Sequence, residues 1–196
     1  PPAIISPNSC RGPLQLGAYV GIDQNTIDLA AKSGIDWIYP SFNNQDGPWN
    51  IKKQVDYART QGVKIAPSIA VYYLGRNLPQ WKNKSQYAMH KRGSKESSGQ
   101  LSYFFPEVRS WKAQHIAQQI ALSGVDGVLL DYIRYPDIIS GYEPVMIEAF
   151  KKEYTKDPET IDPVDPDWVQ FRAKFITMFI AELRQELAKL DRPIEI

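Results

Sequence analysis

Hydrophobic and polar positions alternate along this chain in a repeated pattern: an amphipathic stretch, a small residue with glycine, then a short apolar run. Residues 25–33 lead into Gly34-Ile35 and the run DWIYPSF, and residues 51–61 lead into Gly62-Val63 and KIAPSIAVYY. Residues 108–123 lead into Gly124-Val125 and DGVLLDY, and residues 168–190 lead into the closing RPIEI. The amphipathic stretches predict helices. Each glycine fits the position after a helix, where a positive φ is needed and a Cβ is penalised. The runs that follow are short and rich in β-branched and aromatic residues, as buried parallel strands require. Strands are expected at about 16–20, 35–42, 64–73, 126–132 and 192–196.

Strands alternating with helices imply an α/β fold with a parallel sheet and right-handed crossovers. The expectation is a TIM-type (β/α)8 barrel, of which this chain holds the first four to five βα units. A closed barrel takes about 250 residues, and 196 are present. The domain reading is an N-terminal tail over residues 1–14 and an incomplete barrel over 15–196, cut at its C-terminal side. Two connections are long. Residues 74–106 follow the third strand, and residues 132–167 follow the fourth and include a short helix at Pro144–Tyr154. Loops of this length are usually functional, and both leave the C-terminal ends of strands, where barrel enzymes keep their active sites. Asp167 is expected to cap the last helix.

Charge narrows the function classes. The formal net charge is +1, so no global field favours nucleic acid or an anionic membrane. The basic residues between Lys82 and Lys95 form a local loop cluster, and no nucleic-acid partner is expected from it. No apolar run reaches membrane-span length. Cys10 is the single cysteine, so no internal disulfide can form. No cofactor is expected: the chain lacks a phosphate-cradling glycine loop, a dinucleotide fingerprint and a nucleophile elbow. No metal is expected either, because no His/Cys cluster has ligand spacing and Asp131 with Asp137 is too thin a carboxylate set. His90 and His115 are read as surface or packed residues. The aromatic share of 12%, much of it near strand ends and in loops, suits the apolar faces of sugar rings as well as a core.

The fourth strand carries the candidate chemistry. Alternation puts Val128, Leu130 and Tyr132 on one face and Gly127, Leu129 and Asp131 on the other. In a barrel the second set faces the interior, and Asp131 is its last member, at the mouth. Such a carboxylate needs solvent, a partner charge or a ligand, and Arg134 is the nearest partner in sequence. A loop-fixing Asp131–Arg134 ion pair is the alternative to a catalytic role. Asp36 and Asp126, in the matching pairs SGIDWI and SGVDGV, read as joint residues that bind backbone. Pro106 and Glu107 match a helix start, and Arg109 is expected to brace that joint.

The run GVDGVLLDYIRYP, preceded by LSYFFPEVRSWKAQHIAQQIALS, resembles glycoside-hydrolase-like barrel proteins related to family 10. The resemblance covers residues 60–180 closely and the N-terminal part more loosely. It implies a barrel that hydrolyses a polysaccharide or oligosaccharide in an extracellular or cell-envelope setting. Asp131 then takes the place of the catalytic carboxylate, and Arg134, Tyr135, Tyr39, Tyr73, Trp81 and Tyr103 are candidate substrate-binding residues. Glycosidases generally use two carboxyl groups, about 5–5.5 Å apart for retention and about 6.5–9.5 Å for inversion. Within the chain Asp137, Glu143 and Glu195 are available as the second, and none is singled out. A non-catalytic carbohydrate-binding barrel, or an inactive fragment of a larger hydrolase, is the alternative. The pattern does not specify an oligomeric state.

Overall fold

A computed structural model describes residues 14–42, 48–71, 81, 85–94 and 97–196. Strand β1 (Gly17–Ala18) precedes helix α1 (Gln24–Lys32), and β2 (Trp37–Ile38) precedes α2 (Lys52–Thr60). The third extended run is split into β3 (Lys64–Ile65) and β4 (Ser68–Ala70) around Pro67, which has no N–H to give a ladder. A hairpin of β5 (Ala88–His90) and β6 (Ser97–Leu101) follows, then α3 (Pro106–Ser123), β7 (Leu129–Asp131), α4 (Pro144–Tyr154) and α5 (Pro166–Leu187).

Among the described residues, pairings outside the β5–β6 hairpin are parallel apart from a single antiparallel bridge between Lys91 and Ser140. Gly17 stands opposite Trp37, Trp37 opposite Lys64, Ser68 opposite Leu129 and Ala70 opposite Asp131. Single parallel bridges add Ser41 to Ser68 and Gly127 to Glu195. Order in space therefore follows order in sequence for all five expected strands.

Helix ends obey their local chemistry. Asp23 caps α1 by accepting from the Thr26 N–H at 3.0 Å. Pro106 opens α3 with Glu107 in the first turn, and Gly124 closes it at φ 74°. The joint aspartates bind backbone: Asp36 accepts from Leu16 N at 2.8 Å and Asp126 from Ile65 N at 3.0 Å. Two expectations need correction. Asp165, not Asp167, caps α5, because Pro166 starts the helix and the Asp165 carboxylate accepts from Asp167 N at 3.0 Å. The stretch expected as a plain loop after the third strand contains the β5–β6 hairpin, whose residues carry no sustained apolar alternation.

One face of the sheet packs under the helices. Ile38, Ile65, Ile69, Val71 and Val128 meet Ile27, Val55, Ala58, Ile116, Ile120, Phe175 and Phe179 in one core, each fully buried valine, isoleucine or phenylalanine contributing roughly 1.5–3 kcal/mol. The other face carries Trp37, Tyr39, Ala66 and Leu129, which with Gln15 and Glu195 line a cleft of about 260 Å³. Among the described residues, no helix is long and apolar enough to cross a membrane.

Candidate active site

Asp131 ends β7 and pairs with Ala70 in β4. Its backbone carbonyl accepts from Val71 N at 3.0 Å, so the end of β7 is held against β4. Val128 lies in the core and Leu130 packs against it, which leaves Leu129 and Asp131 on the face away from the helices. The carboxylate is partly exposed and accepts from Tyr132 N at 2.8 Å. Among the described residues no ion pair joins Asp131 to Arg134. At Tyr132 the backbone turns through φ 50°, and Arg134 is carried onto the Tyr132 ring, 5.2 Å from its centroid. Its Nη1 donates to Pro136 O at 3.3 Å.

The aromatic candidates divide by depth. Tyr39 follows β2 on the same face as Asp131, half-buried, with its ring parallel to that of Trp37 at 6.3 Å. Gly17 makes room for it, since a methyl there would collide with the Tyr39 ring. Tyr19 follows β1 and its hydroxyl donates to Ser68 Oγ. Tyr135 is half-buried, stacked under the Arg172 guanidinium at 5.2 Å. Tyr103 is only 1% exposed and its hydroxyl donates to Val71 O at 2.7 Å. Trp81 is buried in a satellite cluster, edge-on to Tyr87 and Trp111. Tyr73 lies outside the described residues.

The three candidate second acids stand in different environments. Glu195 pairs with Gly127, four residues before Asp131 and hence roughly 13 Å away along a strand rising about 3.3 Å per residue. Asp137 receives Lys91 Nζ at 2.9 Å and the Ser140 hydroxyl at 2.6 Å. Burial pushes its carboxyl up, but Ser140 and Lys91 outweigh it and hold it below the usual carboxylate range. Glu143, just before α4, is 1% exposed, and neither carboxylate oxygen has a hydrogen-bond partner among the described residues. Burial raises its carboxyl from 4.5 to about 7. The Ser102 hydroxyl, close by but outside hydrogen-bond geometry, its own N–H and the Arg172 charge oppose that rise.

The loops around Asp131 are braced from beneath. Arg109 is buried, its Nη1 donating to Tyr103 O at 2.7 Å and Phe104 O at 2.9 Å, its Nε to Glu182 at 2.9 Å. Arg172 donates to Ile138 O at 3.0 Å and Ser140 O at 2.8 Å. Among the described residues, no group of three or more His, Cys, Asp or Glu side chains could hold a metal ion.

A carboxylate at the C-terminal end of a parallel strand, with half-buried rings nearby, is an arrangement found in barrel glycosidases. The sequence as a whole decides the family: the glycosyl hydrolase-like 10 model matches residues 42–196. The chain belongs to that family. No curated protein matches this glycosyl hydrolase-like 10 chain. Among solved structures it is similar to the alpha-galactosidase from Lactobacillus brevis, with 12% identity and a TM-score of 0.54, over 87% of this chain and 23% of that one. The glycoside hydrolase domain of PelA from Pseudomonas aeruginosa gives 14% and 0.50, over 89% and 55%. The GH36 alpha-galactosidase AgaA from Geobacillus stearothermophilus gives 12% and 0.52, over 84% and 23%. These neighbours are glycoside hydrolases with TIM-barrel folds, and at such identities the likeness is one of fold. The glycosyl hydrolase-like 10 chain spans 23% of the galactosidases and 55% of the PelA domain.

Three features of this family member carried no sequence signal: the turned backbone at Tyr132, the full burial of Glu143, and the diversion of Arg134 from Asp131. Residue types in a motif report neither torsion nor depth.

Proposed function

We propose that residues 15–196 form the first four to five βα units of a (β/α)8 barrel, after a tail over residues 1–14, and that the protein hydrolyses glycosidic bonds in a polysaccharide or oligosaccharide with Asp131 as its catalytic carboxylate. The single observation behind this reading is the position of Asp131. It is the last residue of β7, on the face opposite the helices, partly open to solvent and held in the sheet by its pairing with β4. A carboxylate so held is aimed without being neutralised, as a nucleophile, a base or a stabiliser of an oxocarbenium-like transition state requires. Tyr39 and Tyr135 are the half-buried rings that would contact sugar, with Tyr73 as a further candidate. Arg134 would donate to substrate oxygens. Tyr103 and Trp81, buried here, would support the walls of the site. The test is turnover of a panel of soluble oligosaccharides, followed by release of reducing ends. Asp131→Asn should abolish turnover while the circular dichroism spectrum and Tm stay at the parent values. Full activity in that variant would remove Asp131 from the chemistry.

The environments of the candidate second acids favour one other reading, a barrel that binds carbohydrate without cleaving it. Glu143 is buried, Asp137 is engaged by Lys91 and Ser140, and Glu195 stands toward the opposite end of the sheet. Oligosaccharide binding by the unaltered protein with no release of reducing ends would select that reading.

A further inference from the structure

Tyr132 follows Asp131 directly, and its backbone lies at φ 50°. That left-handed conformation is sterically costly for a residue with a bulky side chain, whereas glycine adopts it freely. Thr155 is the only other non-glycine residue with positive φ among the described residues, and it closes α4, where this geometry is routine. Tyr132 follows the last residue of β7, with no helix to explain its turn. The conformation brings the Tyr132 N–H to Asp131 Oδ1 at 2.8 Å, and the side chain remains 53% exposed. Glycine would serve the N–H equally well. A strained residue kept at such a position points to work done by its side chain.

Arg134 completes the feature. Its guanidinium carbon lies 5.2 Å from the Tyr132 ring centroid, within cation–π range. It is exposed, donates to Pro136 O at 3.3 Å, and no carboxylate pairs with it among the described residues. A guanidinium has five N–H donors, and the described residues take one of them. Arg134 lies over the Tyr132 ring and the residue is still 53% exposed, which leaves ring surface open to a ligand. An aromatic face with N–H donors beside it matches a pyranose, which has apolar C–H faces and a polar rim.

We infer that Tyr132 and Arg134 form a saccharide platform beside Asp131, the Tyr132 ring stacking on one sugar and Arg134 donating to an oxygen of that same sugar. This inference rests on the reading of Asp131 as the site of glycoside hydrolysis.

The test uses the full chain carrying Asp131→Asn, which would hold oligosaccharides uncleaved, on an array of chito-, cello-, xylo-, galacto- and uronate-containing oligosaccharides. Adding Tyr132→Gly should leave Tm at or above that of the Asp131→Asn protein, because the backbone strain is relieved. Affinity for the retained oligosaccharide should fall about tenfold, the scale of a lost stacking contact. Tyr132→Phe should retain the affinity, and Arg134→Met should lower it with Tm unchanged. Unaltered affinity in Tyr132→Gly, or no oligosaccharide retained at all, overturns the platform. The two readings separate cleanly. If Asp131→Asn abolishes turnover but Tyr132→Gly leaves affinity and KM unchanged, the platform fails alone. If Tyr132→Gly loses binding while Asp131→Asn still turns substrate over, the role given to Asp131 fails and the platform stands.

Discussion

Asp131 and Glu143 lie twelve positions apart in sequence, yet their solvation differs completely. Asp131 is partly open and accepts one backbone N–H, whereas Glu143 is closed off with both oxygens unpartnered among the described residues. The folded protein holds the Glu143 proton up to about pH 7, against a usual value of 4.5, so it binds that proton more tightly than the unfolded chain does. The sign follows from linkage. The stability associated with Glu143 is complete below about pH 4.5 and is lost as pH rises to about 7, a change of about 3 kcal/mol. Glutamine has the same shape and cannot ionise. Glu143→Gln should therefore match the parent near pH 4.5 and exceed its unfolding free energy near pH 8 by about 3 kcal/mol, as read from urea titrations at the two pH values. Identical pH dependence in both proteins would show that Glu143 does not titrate in that window.

At the scale of elements, side chains at the joints decide how the helices sit. Arg109, in the first turn of α3, donates to the carbonyls of Tyr103 and Phe104 and to Glu182 of α5. Arg109→Ala would leave three acceptors without their donor at a largely buried joint, an expected loss of about 3 kcal/mol in denaturant unfolding. Arg109→Lys should recover only part of it, since an ammonium cannot reproduce the planar fork. A loss below about 1 kcal/mol for the alanine variant would mean that water replaces the arginine. Such joints were legible in the sequence where punctuation is local. Pro106 and Gly124 bracket α3, α4 runs over the expected Pro144–Tyr154, and the alternation in GVDGVLLDY assigns Asp131 its face. Legibility ended where contacts come from far along the chain. Tyr103 and Trp81 belong to the same residue class as Tyr39, and only the path of the loop buries the first two. The β5–β6 hairpin is held by backbone pairing across a turn at Gly93 rather than by an apolar stripe, so no periodicity announced it.

Across the whole molecule, the two long connections are tied to each other. Arg92, after β5, donates through Nη2 to the carbonyls of Glu159 and Ile161 in the connector between α4 and α5. Its backbone N–H reaches Ile139 O at 2.8 Å, and the amides of Gly141 and Tyr142 both donate to His90 O. The Lys91–Asp137 ion pair at 2.9 Å lies between these contacts. The loop after β4 therefore holds the loop after β7, which begins at Tyr132 and ends at α4, so the setting of Asp131 depends on a segment about forty positions earlier in the chain. Arg92→Ala removes the two side-chain bonds and leaves the backbone pairing to hold the latch alone. The expected cost is about 1–2 kcal/mol, concentrated in local opening rather than global unfolding. Hydrogen exchange should quicken at the amides of Gly141 and Tyr142 and in residues 157–161, while α1 and α2, which precede both connections in the chain, keep the parent rates. Exchange faster everywhere would make Arg92 a general stabiliser. Exchange unchanged at Gly141 and Tyr142 would mean that the backbone bonds to His90 are sufficient, and that the two connections hold the loop after Asp131 without its help.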